Sequence, residues 1–154
     1  MSALLWLLLT PVAAGCLLPL LRQTHLAGWV NVTASLLTFA ASVSLAVQVA
    51  QVGKIHGATF LIDDFNVYLV VLTSFVGLTT SIFSRPYMQY VREMGMTDTR
   101  GLRLYHGMYQ AFMFTMLLAL TTANLGVLWV AVEGATLATV LLVSLYRTPE
   151  AIEA

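Results

Sequence analysis

These 154 residues predict an all-α, polytopic membrane protein with five transmembrane helices. Two observations carry that prediction. Hydrophobic residues make up 59% of the chain and charged residues only 9%, whereas a soluble domain carries about 25% charged residues. So few charges cannot cover a water-facing surface. The apolar residues also fall into five continuous runs of about 20 residues, the length needed to cross about 30 Å of hydrocarbon as a helix. Lipid leaves free backbone N–H and C=O groups unsatisfied, so each run must be helical. A β-barrel is disfavoured because the runs do not alternate and are about twice a strand's length.

The helices are expected at about 2–21, 28–52, 65–84, 105–122 and 125–146. Pro11 should kink the first. No Lys or Arg precedes this run, so a cleaved signal peptide is not expected. Six of the seven Lys/Arg residues then fall on one side: Arg22, Arg85, Arg92, Arg100, Arg103 and Arg147. Lys54 alone falls on the other. The positive-inside rule places the six in the cytoplasm and the N-terminus outside. The chain is expected to be a multi-pass protein, and its membrane is expected to be a bacterial or archaeal-type inner, cytoplasmic membrane.

The connections carry their own signals. In the outer loop, Thr59-Phe60-Leu61-Ile62 is expected to be extended, and Asp63 and Asp64 are placed to cap the third helix and meet its positive end. The inner segment 85–103 contains Pro86, Gly95 and Gly101 and reads as a short interfacial connection whose arginines anchor the topology. Small polar residues line two helices. Thr73, Gly77 and Ser81 form one stripe, and Ser35, Thr38, Ser42 and Ala46 another; both suit close helix packing. Asn31-Val32-Thr33 matches a glycosylation pattern but lies within a membrane helix, which removes it as an acceptor.

Several function classes are excluded. Net charge is zero, so no basic field points to nucleic acid. Cys16 is the single cysteine, which rules out an internal disulfide and a cysteine-based zinc site. No Gly-rich phosphate loop, nucleophile elbow or HExxH is present. The expectation is therefore no cofactor, no metal and no catalysis by this chain alone. Lipid and other membrane subunits are its expected partners.

One ionisable residue lies deep within a span. Glu133 falls near the middle of the fifth helix. A charged side chain at that depth costs on the order of 3 kcal/mol, and intramembrane acids commonly mark ion paths. Low dielectric favours a neutral acid, and a nearby cation favours the carboxylate. A group under both influences exchanges a proton when its partner moves, so Glu133 is the leading proton-relay candidate. Thr136, one turn later, is a secondary candidate that can bond to its carboxyl. Trp129, one turn earlier, can wall it from lipid. His106, at the inner end of the fourth helix, is a second possible proton-exchange group. Gln110 either lines a hydrated path or bonds across helices. No Lys or Arg within these helices reaches the depth of Glu133.

The segment Asn124-Leu-Gly-Val-Leu-Trp129-Val-Ala-Val-Glu133-Gly-Ala-Thr-Leu137 resembles the fifth helix of the antiporter-like membrane subunits. These serve respiratory complex I, the Mrp-type cation/proton antiporters and energy-converting hydrogenases. Arg103-Leu-Tyr105-His106 and Tyr146-Arg-Thr-Pro149-Glu-Ala-Ile-Glu153-Ala are similar to the hydrogenase-4 component F branch, and Leu61-Ile-Asp63 fits the wider family. The resemblance implies a proton-translocating subunit of a membrane oxidoreductase complex, with Glu133 as the glutamate that modulates the channel. In the family that glutamate pairs with a lysine on a broken seventh helix, which these residues do not contain. The lysine is then expected from another subunit or from beyond Ala154. A structural membrane-arm subunit without transport, and an energy-coupling subunit for inorganic-carbon uptake, are the alternatives.

Overall fold

A computed structural model describes residues 2–21, 24–57 and 59–144. The chain forms α1 (Ser2–Leu17), a 3-10 turn (Leu18–Leu20), α2 (Thr24–Val52), β1 (Ile55–His56), β2 (Leu61–Ile62), α3 (Asp64–Glu93), α4 (Thr99–Thr121) and α5 (Leu125–Ser144). Four segments are long and apolar enough to cross a membrane: α1 with its 3-10 turn, α2, α3 and α5. The remaining helix, α4, has 23 residues, about 34 Å of helix, so it is long enough. Its first half carries Arg100, Arg103, His106 and Gln110. It tolerates the two uncharged side chains because it is the hub of the fold, packing against α1, α2, α3 and α5. Both His106 and Gln110 are buried there.

The helix ends follow from local chemistry. The Asp63 carboxylate accepts the Asn66 N–H at 2.8 Å and caps α3. Asp64 is the first residue of the helix and adds charge to its first turn. At α4 the Asp98 carboxylate accepts the Gly101 N–H at 2.6 Å. At α5 the Asn124 side-chain oxygen accepts the Gly126 and Val127 N–H groups at 2.9 and 3.2 Å. α3 stops at a positive-φ glycine, Gly95, with Met96 N–H donating to Val91 O and Gly95 N–H to Arg92 O, the paired bonds of a Schellman cap. Asp63→Ala should cost about 1 kcal/mol of helix stability, read as a lower unfolding midpoint in detergent micelles.

Helix α3 runs further than the sequence suggests. It continues through Pro86 to Glu93, and α4 begins at Thr99, leaving a short connection where residues 85–103 were expected as an interfacial segment. Proline removes one backbone donor and crowds the preceding turn. Here Met88 and Val91, beyond it, are buried at 1% and 3% exposure, and that packing outweighs the lost bond. In α1 the helix also continues past Pro11 to Leu17.

The two ends of the bundle differ. At one, Arg103 donates to the Leu21 carbonyl at 2.8 Å, and Arg85 meets His25 at 3.4 Å. The α1–α2 connection and the α3–α4 connection therefore share that end with Arg92 and Arg100. At the other, β1 and β2 pair antiparallel, Ile55 opposite Ile62 and His56 opposite Leu61. Phe60 also bridges to Thr122, and the Ala123 N–H donates to Thr59 O at 2.7 Å. The hairpin thus ties the α2–α3 loop to the α4–α5 turn. Lys54 lies at this end, beside β1. Among the described residues, the separation of Lys54 from the four arginines matches the expected alternation.

Two apolar clusters bracket the interior. Ala3, Leu4, Leu7, Leu45, Val49, Ile62, Val67, Val70 and Leu117 form one near the hairpin. Ala14, Leu18, Ala27 and Ala34 form the other near the arginine end. The middle of the bundle is polar.

Candidate functional site

Helix α5 packs almost wholly on α4, through small residues. Ala131, Ala135 and Ala138 are buried at 1%, 8% and 5% exposure. Gly134 sits so close that an added Cβ would lie 3.0 Å from Thr115 Cγ2. Small residues at this spacing let two backbones approach closely, which is how helices associate where lipid removes the hydrophobic drive. The opposite face of α5 is open. Trp129, Val130, Val132, Leu137 and Val140 are 52–70% exposed.

Glu133 projects from that open face, eight residues from the start of α5, roughly 12 Å along its axis. No described residue hydrogen-bonds or ion-pairs with it. Thr136 shares the exposed side, but its hydroxyl donates to the Val132 carbonyl at 3.0 Å rather than to the carboxyl. Trp129 is 70% exposed, one turn away on the same face.

His106 lies elsewhere. It is 2% exposed within the bundle, with the Tyr105 ring edge-on at 5.4 Å. Its Nδ1 has no hydrogen-bond partner. Thr115, packed on Gly134, marks the level of Glu133 on α4. His106 stands nine residues before Thr115, about 14 Å toward the arginine end. The structure therefore does not bring Glu133 and His106 together.

What it does assemble is an interior polar layer. The Gln110 side-chain N–H₂ donates to Asn31 Oδ1 at 2.8 Å, to Ser35 Oγ at 3.1 Å and to the Asn31 carbonyl at 3.2 Å. Asn31 Nδ2 and Gln110 Oε1 are buried without partners. Toward the hairpin end, Ser42 and Ser74 share a 2.6 Å hydrogen bond between α2 and α3. Between α4 and α3 the Tyr109 hydroxyl donates to the Gly77 carbonyl. The buried stripe of α3 is thus Ser74, Gly77, Ser81 and Ser84. Thr73, expected in that stripe, is only half-buried.

Gln110 bonds across helices, one of the two roles its position allowed. Asn31, which in sequence stands out only as part of a glycosylation pattern, is its partner. Its signal was spacing: Asn31, Ser35, Thr38 and Ser42 continue a single buried stripe one turn toward the start of α2. Combining Asn31→Leu and Gln110→Leu should show a favourable coupling of about 0.6–1.7 kcal/mol in a double-mutant cycle. Gln110→Leu leaves the Asn31 side-chain amide buried without a partner, and Asn31→Leu takes from Gln110 its shortest bond while those to Ser35 and the Asn31 carbonyl remain, so the double variant should be more stable than the sum of the singles.

No protein-family model matches the chain. It is 40% identical over 147 residues to the hydrogenase-4 component F homolog of Methylacidiphilum infernorum (isolate V4), which covers 96% of this chain. The chain spans 30% of that relative's length, and the match lies in the relative's N-terminal part. The likeness seen in the fifth-helix segment therefore extends across nearly every helix described here.

Proposed function

We propose that this chain, a relative of the hydrogenase-4 component F subunits, works as an antiporter-like module in the membrane arm of a hydrogenase- or complex I-like oxidoreductase. Redox work elsewhere in the complex would be coupled to proton movement through it. The observation that carries this reading is Glu133. It is a mid-membrane carboxyl on the open face of α5, and no described residue satisfies it.

An unpartnered acid in hydrocarbon is costly, so a group from outside the described residues completes the site. A lysine from a neighbouring membrane subunit fits best, because a cation within about 4–6 Å favours the charged carboxylate. When the lysine approaches, Glu133 releases its proton; when it withdraws, Glu133 binds one. The α4–α5 seam, closed by alanines and glycine, holds the carboxyl at a constant depth while the partner moves. Thr136 and His106 have lesser parts in this scheme. Thr136 closes its hydroxyl on the helix backbone, and His106 lies on a separate, interior line toward the arginine end. The membrane is proposed to be a bacterial or archaeal-type inner membrane, with the arginine end in the cytoplasm.

Affinity purification of the full chain from its native membrane tests the setting. Co-purifying hydrogenase or quinone-reductase subunits are the expected result. A carbon-uptake partner would reassign the machine. Recovery of the chain by itself would contradict a role in a complex.

A further inference from the structure

We infer that the arginine end of the α2–α3 seam binds the phosphate of an anionic phospholipid, with Arg85 as its principal ligand. Arg85 is held in place before any ligand arrives. Its guanidinium carbon lies 4.0 Å from the centroid of the Trp29 ring, and one terminal nitrogen is 3.4 Å from His25 Nε2. The stem lies against Gly28, where an added Cβ would come 3.1 Å from Arg85 Cγ. Stacking and packing of this kind fix a guanidinium whose five N–H donors form a fork matched to phosphate geometry.

No described acid neutralises this cation. Its Nε is buried without a hydrogen-bond partner. Asp98, at the same end, is engaged in capping α4. The neighbouring Arg103 is committed to the Leu21 and Thr99 carbonyls.

Depth and surroundings select a lipid over a soluble anion. Arg85 stands 21 residues after the start of α3, about 32 Å along its axis, where a hydrocarbon core of about 30 Å gives way to headgroups. Leu26, Trp29 and Ile82 are 46–47% exposed beside it, apolar surface suited to acyl chains. Basic pockets between membrane helices are the expected seats of anionic headgroups.

Native mass spectrometry of the full chain, from micelles carrying equimolar phosphatidylglycerol and phosphatidylcholine, tests the site. The wild type should retain phosphatidylglycerol and not phosphatidylcholine. Arg85→Gln should lower that retention about fivefold, while the exposed Arg100→Gln should leave it unchanged. Trp29→Leu keeps every charge and removes the stacking platform; it should lower retention about twofold to fivefold. Equal retention by wild type and Arg85→Gln would overturn the proposal. An equal fall in Arg100→Gln would do so too, by showing a general charge effect. Displacement of the lipid by millimolar inorganic phosphate would mark a soluble-anion site instead. Should Arg85→Gln fail to yield a helical chain, unchanged retention in Trp29→Leu would itself refute the site.

Discussion

Glu133→Gln, introduced into the assembled complex, should lower proton coupling about tenfold, within the range typical of two linked sites, while leaving assembly intact. The side chain keeps its length and its place on the open face of α5. What it loses is the ability to bind and release a proton. The carboxyl makes no hydrogen bond or ion pair to the described residues, so no internal contact is broken. Stability of the isolated chain should therefore change by less than about 0.5 kcal/mol. Proton movement is read with a pH-sensitive dye in proteoliposomes, alongside electron transfer and subunit stoichiometry. The split matters. A purely structural glutamate, bonded to a neighbouring subunit, would instead lose assembly with coupling per assembled complex unchanged. Normal coupling with normal assembly would remove Glu133 from the relay.

The second large effect is expected at the α1–α4 contact. Gly15 and Gly107 face each other there. An added Cβ at Gly107 would lie 2.9 Å from Pro19 Cγ and 3.4 Å from the Gly15 carbonyl oxygen. The first is a clash with a ring, which cannot swing aside as a flexible side chain can, and the Gly15 carbonyl behind it leaves no room for a larger side chain to turn away. Gly107→Leu should thus force α1 and its 3-10 turn away from α4, costing about 1–3 kcal/mol, the usual penalty for overpacking. His106 and Gln110 flank this position on α4, so the polar layer should loosen with it. The measurement is the unfolding midpoint in micelles, with Val47→Leu, on the exposed face of α2, expected within about 0.5 kcal/mol of wild type. An unchanged midpoint for Gly107→Leu would mean that α1 is not docked as described.

The helices were legible from hydrophobicity because lipid removes every alternative to a helix. Their ends were less so. Pro86 looked like a boundary, yet α3 passes through it, because the buried Met88 and Val91 act through tertiary packing that a local rule does not see. Asp63 was readable as a cap since the capping bond is made within three residues. Glu133 was legible by its cost alone: a single acid in an apolar run is conspicuous whatever surrounds it. Its orientation was not, because the side facing α4 is set by Ala131, Gly134, Ala135 and Ala138, residues with little individual signal. The Asn31–Ser35–Gln110 cluster was hidden for a different reason. It joins residues 75–79 positions apart, and uncharged amides carry too small a penalty to stand out in sequence. The position of His106 at the arginine end of the fourth helix is legible in the sequence, but its burial, at 2% exposure, is not, because it is set by the packing of α4 against the other helices.

On the proposed function, a cation from outside the described residues completes Glu133. A cryo-electron microscopy structure of the assembled membrane complex, at side-chain resolution, tests it most directly. A lysine ammonium from a neighbouring helix is expected within about 6 Å of the Glu133 carboxyl, on the α5 face that also carries Trp129 and Leu137. A face covered only by acyl chains or apolar side chains, with the carboxyl still unpartnered, would contradict it.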